Sequence, residues 1–287
     1  MFGIGGERDL SEREIGLLSS WCGSGLVRAG NGAWAQRQLD VYGSLLDAAY
    51  TLRAQLGELD EPTRAFLVDA AAACWGDDDQ GIWEIRGPSR PYLHSKLMCW
   101  VALDRGLAMI EQLRPEQDRA AAWTAARAEL RQSILTRGWN GDVGAYTQFY
   151  GSDALDASTL LMAVVGFLPR DDERLLATID VIEAGLSDER GLLYRYRGDD
   201  GFDEPEGTFL LCTLWLAHAL ALTGQVTRAR PRWTARPASR PSWAVRRAGR
   251  PATGDLLGNF PQAFSHLGLV NAAQALADAE RRTASAR

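Results

Sequence analysis

Gln38-Leu39-Asp40-Val41-Tyr42-Gly43-Ser44-Leu45-Leu46-Asp47-Ala48-Ala49-Tyr50-Thr51-Leu52 sets the fold class. Its apolar residues Leu39, Tyr42, Leu45, Leu46, Ala49 and Leu52 recur at three- and four-residue spacing, which puts them on one face of a helix running from Gln38 to Leu56. Similar stripes predict helices over Pro62–Trp75, His94–Leu113, Asp118–Leu135, Asp156–Leu168, Asp172–Leu186, Gly207–Leu222 and Phe260–Ala277. Asp118, Asp156 and Asp172 supply caps or first-turn acids at three of these starts. No comparable strand pattern is visible, so the expectation is an all-α chain of about eight helices.

Short connections alternate with longer ones rich in Gly, Trp, Tyr and acids: Trp75–Pro91, Arg137–Leu155 and Leu193–Glu206. Decorated loops on one side of a helical array suggest a toroid with its site at one mouth. The plainer alternative is a solenoid with decorated loops, but no sequence repeat supports it.

Composition narrows the function. The hydrophobic share of 46% supports a sizeable core. The net charge of −6 argues against a nucleic-acid partner, which needs clustered cations. Cys22, Cys74, Cys99 and Cys212 are scattered without a CxxC pair and read as buried thiols of a cytosolic protein. The N-terminal residues lack a signal pattern, and no apolar run is long enough to span a bilayer, so the expectation is a cytoplasmic chain without membrane contact. Arg228–Arg250 breaks the texture with eight arginines, three prolines and no acid, which argues against a continuous helix there. It reads as an anion-binding arm, a solvated linker, or text in the wrong frame.

Four segments carry groups that suit sugar chemistry. Asp77-Asp78-Asp79-Gln80-Gly81-Ile82-Trp83-Glu84-Ile85-Arg86-Gly87 sets a carboxylate beside a tryptophan, which can desolvate an acid and stack on a sugar. On composition alone that pair is more often an exposed acid beside a packed aromatic. Leu193-Tyr194-Arg195-Tyr196-Arg197 interleaves guanidinium donors with rings, which suits hydroxyl-rich ligands or a surface turn. Trp34-Ala35-Gln36-Arg37-Gln38-Leu39-Asp40 brings polar groups to a helix start, more than capping explains. Gly258-Asn259-Phe260-Pro261 opens the last helix, where His266 reads as a satisfied structural histidine. His94, His218 and His266 have no metal-ligand spacing, and no Ser/His/Asp signature is present.

Taken together, the segments resemble the bacterial branch of the glucoamylase/trehalase family, glycoside hydrolase family fifteen. The text that carries the resemblance is Glu7-Arg8-Asp9-Leu10, Gln38 to Gly43, Gly81-Ile82-Trp83-Glu84, Asp156-Ala157-Ser158, Glu206-Gly207-Thr208-Phe209 and Leu257 to His266, in family order. The resemblance implies an (α/α)6 toroid of the six-hairpin type and hydrolysis of α-linked glucose with inversion. It places the general acid at Glu84. Arg195, Trp83, Trp34, Gln38, Asp40 and Glu206 fall in the sugar pocket. It implies no metal or organic cofactor and leaves the oligomeric state open.

Two departures follow. The family's Trp-x-Arg-Asp motif and its preceding β-sandwich are not in this sequence, so the toroid is expected to be incomplete and the chain to be the C-terminal part of a catalytic domain. The family's Glu-Glu-x-Asp-Pro run, which holds the general base, falls on Arg247, Ala248, Gly249 and Arg250, followed by Pro251. Ala244–Arg250 has a synonymous encoding whose adjacent frame reads Leu-Ser-Glu-Glu-Leu-Asp, the family text, so the expectation is a frameshifted segment and a chain without hydrolytic activity. The rival expectation is a non-catalytic helical protein that keeps a carbohydrate cleft.

Overall fold

Ten α-helices carry the described part of the chain, which in this computed structural model is residues 3–19, 26–55, 61–113, 115–197, 207–234, 247–248, 256–257 and 261–285. They are α1 (Asp40–Thr51), α2 (Glu61–Cys74), α3 (Leu93–Ala108), α4 (Ile110–Leu113), α5 (Gln117–Arg137), α6 (Leu161–Val164), α7 (Glu173–Leu186), α8 (Leu210–Leu222), α9 (Val226–Thr234) and α10 (Ala263–Ser285). α1, α3, the 3₁₀ turn Ala157–Leu160 with α6, α8 and α10 form one row in which each member touches the next. α2, α5, α7 and α9 pack against this row as a second layer.

Glycines reveal the direction of the row. A Cβ on Gly43, early in α1, would stand 2.7 Å from the backbone carbonyl carbon of Met98, early in α3. A Cβ on Gly268, early in α10, would stand 2.7 Å from Cδ1 of Leu211, at the start of α8. These helices therefore run side by side in the same direction. The outer helix α2 runs the other way, because Trp75, just past its C-terminus, accepts a hydrogen bond from Lys96 near the start of α3. The result is a row of α/α hairpins with the inner N-termini gathered at one mouth.

Burial follows position in the row. α8, Leu-Leu-Cys-Thr-Leu-Trp-Leu-Ala-His-Ala-Leu-Ala-Leu, is apolar all round and sits between α6 and α10, buried at nine positions. The end helices differ. α1 exposes Val41 and Leu45, with Leu52 exposed just past its end, and α10 exposes Phe264, Leu267 and Val270, the last three at 61–68%. Cys74, Cys99 and Cys212 are buried free thiols. Cys22 lies outside the described residues. Among the described residues no helix is long and apolar enough to cross a membrane.

The mostly helical class with few strands holds, and three points of local detail add to it. Short strands do occur: β1 (Arg13–Ser19) pairs with β2 (Leu26–Ala29), β3 (Trp139–Asn140) with β4 (Ala145–Tyr146), and β5 (Arg247–Ala248) with β6 (Leu256–Leu257), all antiparallel. β1 shows no alternation because it faces no core; Leu17 and Leu18 are both exposed. The helix expected over Asp156–Leu168 is only a 3₁₀ turn followed by one α-turn. There the Thr159 hydroxyl bonds the Asp156 carbonyl, and Gly166 turns the chain away at φ 71°. Finally, the Arg/Pro-rich segment begins as helix, since α9 runs through Pro231. Its arginines offset the lost backbone bond: Arg228 pairs with Asp180 and Glu183, Arg232 with Glu183, and Arg230 with Glu280. Burial pushes the Glu183 carboxyl up, but the two guanidinium hydrogen bonds outweigh it and hold the group below its ordinary value. Arg228–Thr234 is thus built into the fold; residues 235–246 lie outside the described residues.

Candidate active site

The α2–α3 loop is shaped from its base upward. Lys96, the single lysine of the chain, is 2% exposed. Its ammonium donates to the carbonyls of Trp75 (2.7 Å) and Asp77, which lie just beyond the end of α2. Burial lowers its pKa. Above it, Asp79 and Arg90 exchange two backbone hydrogen bonds that pinch the loop shut (3.1 and 2.9 Å). The Asp79 carboxylate then accepts from the Leu39 amide (3.0 Å) and the Ser95 hydroxyl (2.7 Å), tying the starts of α1 and α3 together.

Within the loop, Gly81 takes φ 69° with its Cα against the Tyr92 ring, where a Cβ would come within 2.9 Å. Glu84 takes φ 55°, the one non-glycine with positive φ among the described residues. That conformation costs about 1–2 kcal/mol for a residue with a Cβ and clusters at functional sites. Gln36 holds it from the preceding segment, donating to the carbonyls of Glu84 (3.3 Å) and Ile85 (3.2 Å).

Trp83 turns its indole inward. Nε1 donates to both oxygens of Asp156, at 3.0 and 2.9 Å. The ring sits among Tyr196, Phe209 and Trp215, with centroids 5.9–6.5 Å away. The Arg195 guanidinium lies 5.2 Å from the Trp83 ring centroid and 5.5 Å from that of Tyr196. Arg195 is held there by backbone: the Ala157 amide donates to its carbonyl (2.8 Å), and Tyr196 bridges Asp156. The loops bearing Glu84 and Arg195 therefore meet at the same mouth, over the starts of α1, α3 and α8.

Beneath them lies a polar layer. His94 is buried among Asp40, Asp79 and Asp156; its Nδ1 is 3.9 Å from Asp40 Oδ2. Burial drives its pKa down to about 4, against the two carboxylates that favour the charged form. The ring is neutral at pH 7, so the Asp40 contact is not an ion pair. Burial also raises the carboxyls of Asp40 and Asp79.

Trp34 lies in the turn before α1, Gln38 just ahead of it, and Asp40 is its first residue, with a half-buried side chain facing His94. Glu206 and residues 258–260 fall outside the described residues. Arg247 and Ala248 are placed only as a short strand opposite Leu257 and Leu256. His266 Nδ1 is 2.7 Å from the Gln262 carbonyl, as a structural histidine would be. Sequence reasoning missed Gln36 and Lys96 as loop supports, and gave Asp156 a cap and a place in the family-like text but no partner in the site. It does cap, accepting from the Ser158 amide at 2.8 Å, but it also anchors Trp83.

The family model for glycosyl hydrolases family 15 matches residues 1–249. The trehalase of Mycolicibacterium smegmatis is 42% identical over 279 residues, 95% of this chain and 41% of the trehalase. That of Mycobacterium tuberculosis is 42% identical over 280 residues, with the same coverage. The chain thus spans about two fifths of the length of these relatives. Among solved structures, a wild-type glycosidase matches with a TM-score of 0.66 at 22% identity, covering 85% of this chain and 68% of its own. A bacterial glucoamylase matches with a TM-score of 0.56 at 17% identity, covering 70% and 35%. The structural matches establish the helical fold, and the match to the family model over residues 1–249 shows that the chain belongs to glycosyl hydrolase family 15.

Proposed function

We propose that this chain carries the acid half of an inverting α-glucoside hydrolase site, with trehalose its first substrate and maltose or α-glucan ends behind it. The observation that carries the reading is the meeting of the Trp83-Glu84 loop and Arg195, 5.2 Å from the Trp83 ring, over one mouth of the row. Glu84 protonates the glycosidic oxygen as its bond to the anomeric carbon breaks. Arg195, Trp83, Trp34, Gln38, Asp40 and Glu206 bind the glucose. The relatives at 42% identity bear the name trehalase, which favours trehalose.

Inversion also needs a second carboxylate, roughly 6.5–9.5 Å from the acid, to take a proton from the attacking water. The matching positions Arg247 to Arg250 hold no carboxylate, and a guanidinium does not accept that proton. This chain therefore binds α-glucosides without turning them over. The same substitution favours the second reading, a non-catalytic carbohydrate-binding helical protein. The test joins the chain to the upstream part of the mycobacterial trehalase domain and carries Arg247→Glu with Ala248→Glu. Release of β-glucose from trehalose, abolished by Glu84→Gln, supports the hydrolase reading. Binding of trehalose without turnover supports the second.

A further inference from the structure

Asp156 is the point where both walls of the site are tied, though its sequence context marks it as a helix cap. It is 2% exposed, and three donors converge on its carboxylate. They are the single indole N–H of Trp83, shared between both oxygens, Gln148 Nε2 (3.2 Å) and the Ser158 amide (2.8 Å). Its backbone bridges Tyr196, and the next amide, that of Ala157, donates to the Arg195 carbonyl at 2.8 Å. One residue thus grips the neighbour of Glu84 by its side chain and the neighbour of Arg195 by its backbone.

A cap needs only the bond from Ser158. The remaining bonds need another reason, because burying a carboxylate is costly unless it is fully hydrogen-bonded. The indole supplies it. Trp83 precedes a residue held at φ 55°, and its ring is the surface on which the Arg195 guanidinium lies. Tilting the indole would shift the Glu84 peptide and the guanidinium together. We propose that Asp156 is a positioning residue, which orients Trp83 and through it sets Glu84 and Arg195 for the same sugar. This rests on the sugar-site reading above.

The test uses the whole chain and two readouts. The first is the Trp83 indole ¹H–¹⁵N resonance, identified by its loss in Trp83→Phe. The second is binding of 1-deoxynojirimycin, a cationic glucose mimic suited to an acid-bearing pocket. In Asp156→Asn the indole resonance is expected to move upfield and exchange faster with water, and the mimic to bind about tenfold more weakly, the loss typical of a charge-assisted hydrogen bond. Trp83→Phe should weaken binding similarly, and the double variant no further, because Asp156 acts through the indole. If the Asn variant does not fold, Asp156→Ser keeps the cap and gives the same readouts. An unmoved indole resonance, or losses that multiply in the double variant, overturns the proposal. If the mimic binds no form of the chain, the sugar-site reading fails, while the indole resonance still decides whether Asp156 holds Trp83.

Discussion

Gly43→Ala tests the packing that places the site. Gly43 is the fourth residue of α1, buried against α3. An added Cβ would stand 2.7 Å from the Met98 carbonyl carbon, 2.9 Å from its Cα and nearer still to its oxygen. Ordinary contact is about 3.5–4 Å, so the helices must part by about 1 Å, and backbone cannot swing aside as a side-chain tip can. Overpacking of this kind costs about 3 kcal/mol, and the better helix propensity of alanine returns about 1 kcal/mol, leaving a net loss of about 2 kcal/mol. Gly268→Ala is the control. Its new methyl would meet the Leu211 Cδ1 tip, which can rotate, so its loss should be smaller or absent. Urea unfolding followed by circular dichroism measures both. A Gly43→Ala chain as stable as the parent, or no less stable than Gly268→Ala, would refute the parallel close packing of α1 on α3.

His94 gives a pH signature. Its folded pKa of about 4 lies below the ordinary 6.5, so the unfolded chain takes up the proton first as pH falls. The stability tied to its neutrality is fully present above pH 6.5 and drains away toward pH 4, by about 3 kcal/mol in all. Asp40 and Asp79, raised by burial, act in the opposite sense, so the comparison with His94→Gln isolates the ring. Between pH 7 and 4.5 the urea midpoint should fall less in the variant than in the parent chain; an equal change in both would remove His94 from the account. The exposed stripes Val41, Leu45, Leu52 and Phe264, Leu267, Val270 should make the chain bind a hydrophobic dye and self-associate, and Phe264→Lys with Leu267→Lys should reduce both without loss of helix. A high-melting, dye-free monomer would count against open ends to the row.

The sequence disclosed helices wherever one face alone was buried. α1, α5 and α7 carry their cores in periodic stripes, and Asp172 caps α7 as its chemistry predicts, accepting from the amides of Arg174 and Leu175. It failed where short-range bonds compete with helix, as at Thr159, and where long-range ion pairs rescue a weak one, as at Arg228 and Arg232. In the site, Trp83-Glu84 and Arg195 were ambiguous on composition, and it was the family resemblance of the segments around them that singled them out. Gln36 and Lys96 were not singled out. Each works by donating to a carbonyl distant in sequence, of Ile85 and Trp75 respectively, and nothing local signals that. Asp156 had a local explanation as a cap, which hid the bond to Trp83, 73 residues away.

Release of glucose from trehalose by the chain as it stands bears most directly on the central claim, that Glu84 supplies an acid whose partner base has been lost. Loss of a general base lowers turnover by about 10²–10⁴. Incubation with trehalose, followed by ¹H NMR of the anomeric protons, should show no glucose release at a measurable rate, and the same for maltose. Appearance of β-glucose would contradict the account. Some other carboxylate would then deprotonate the water, and Glu206 would be the first to replace with glutamine.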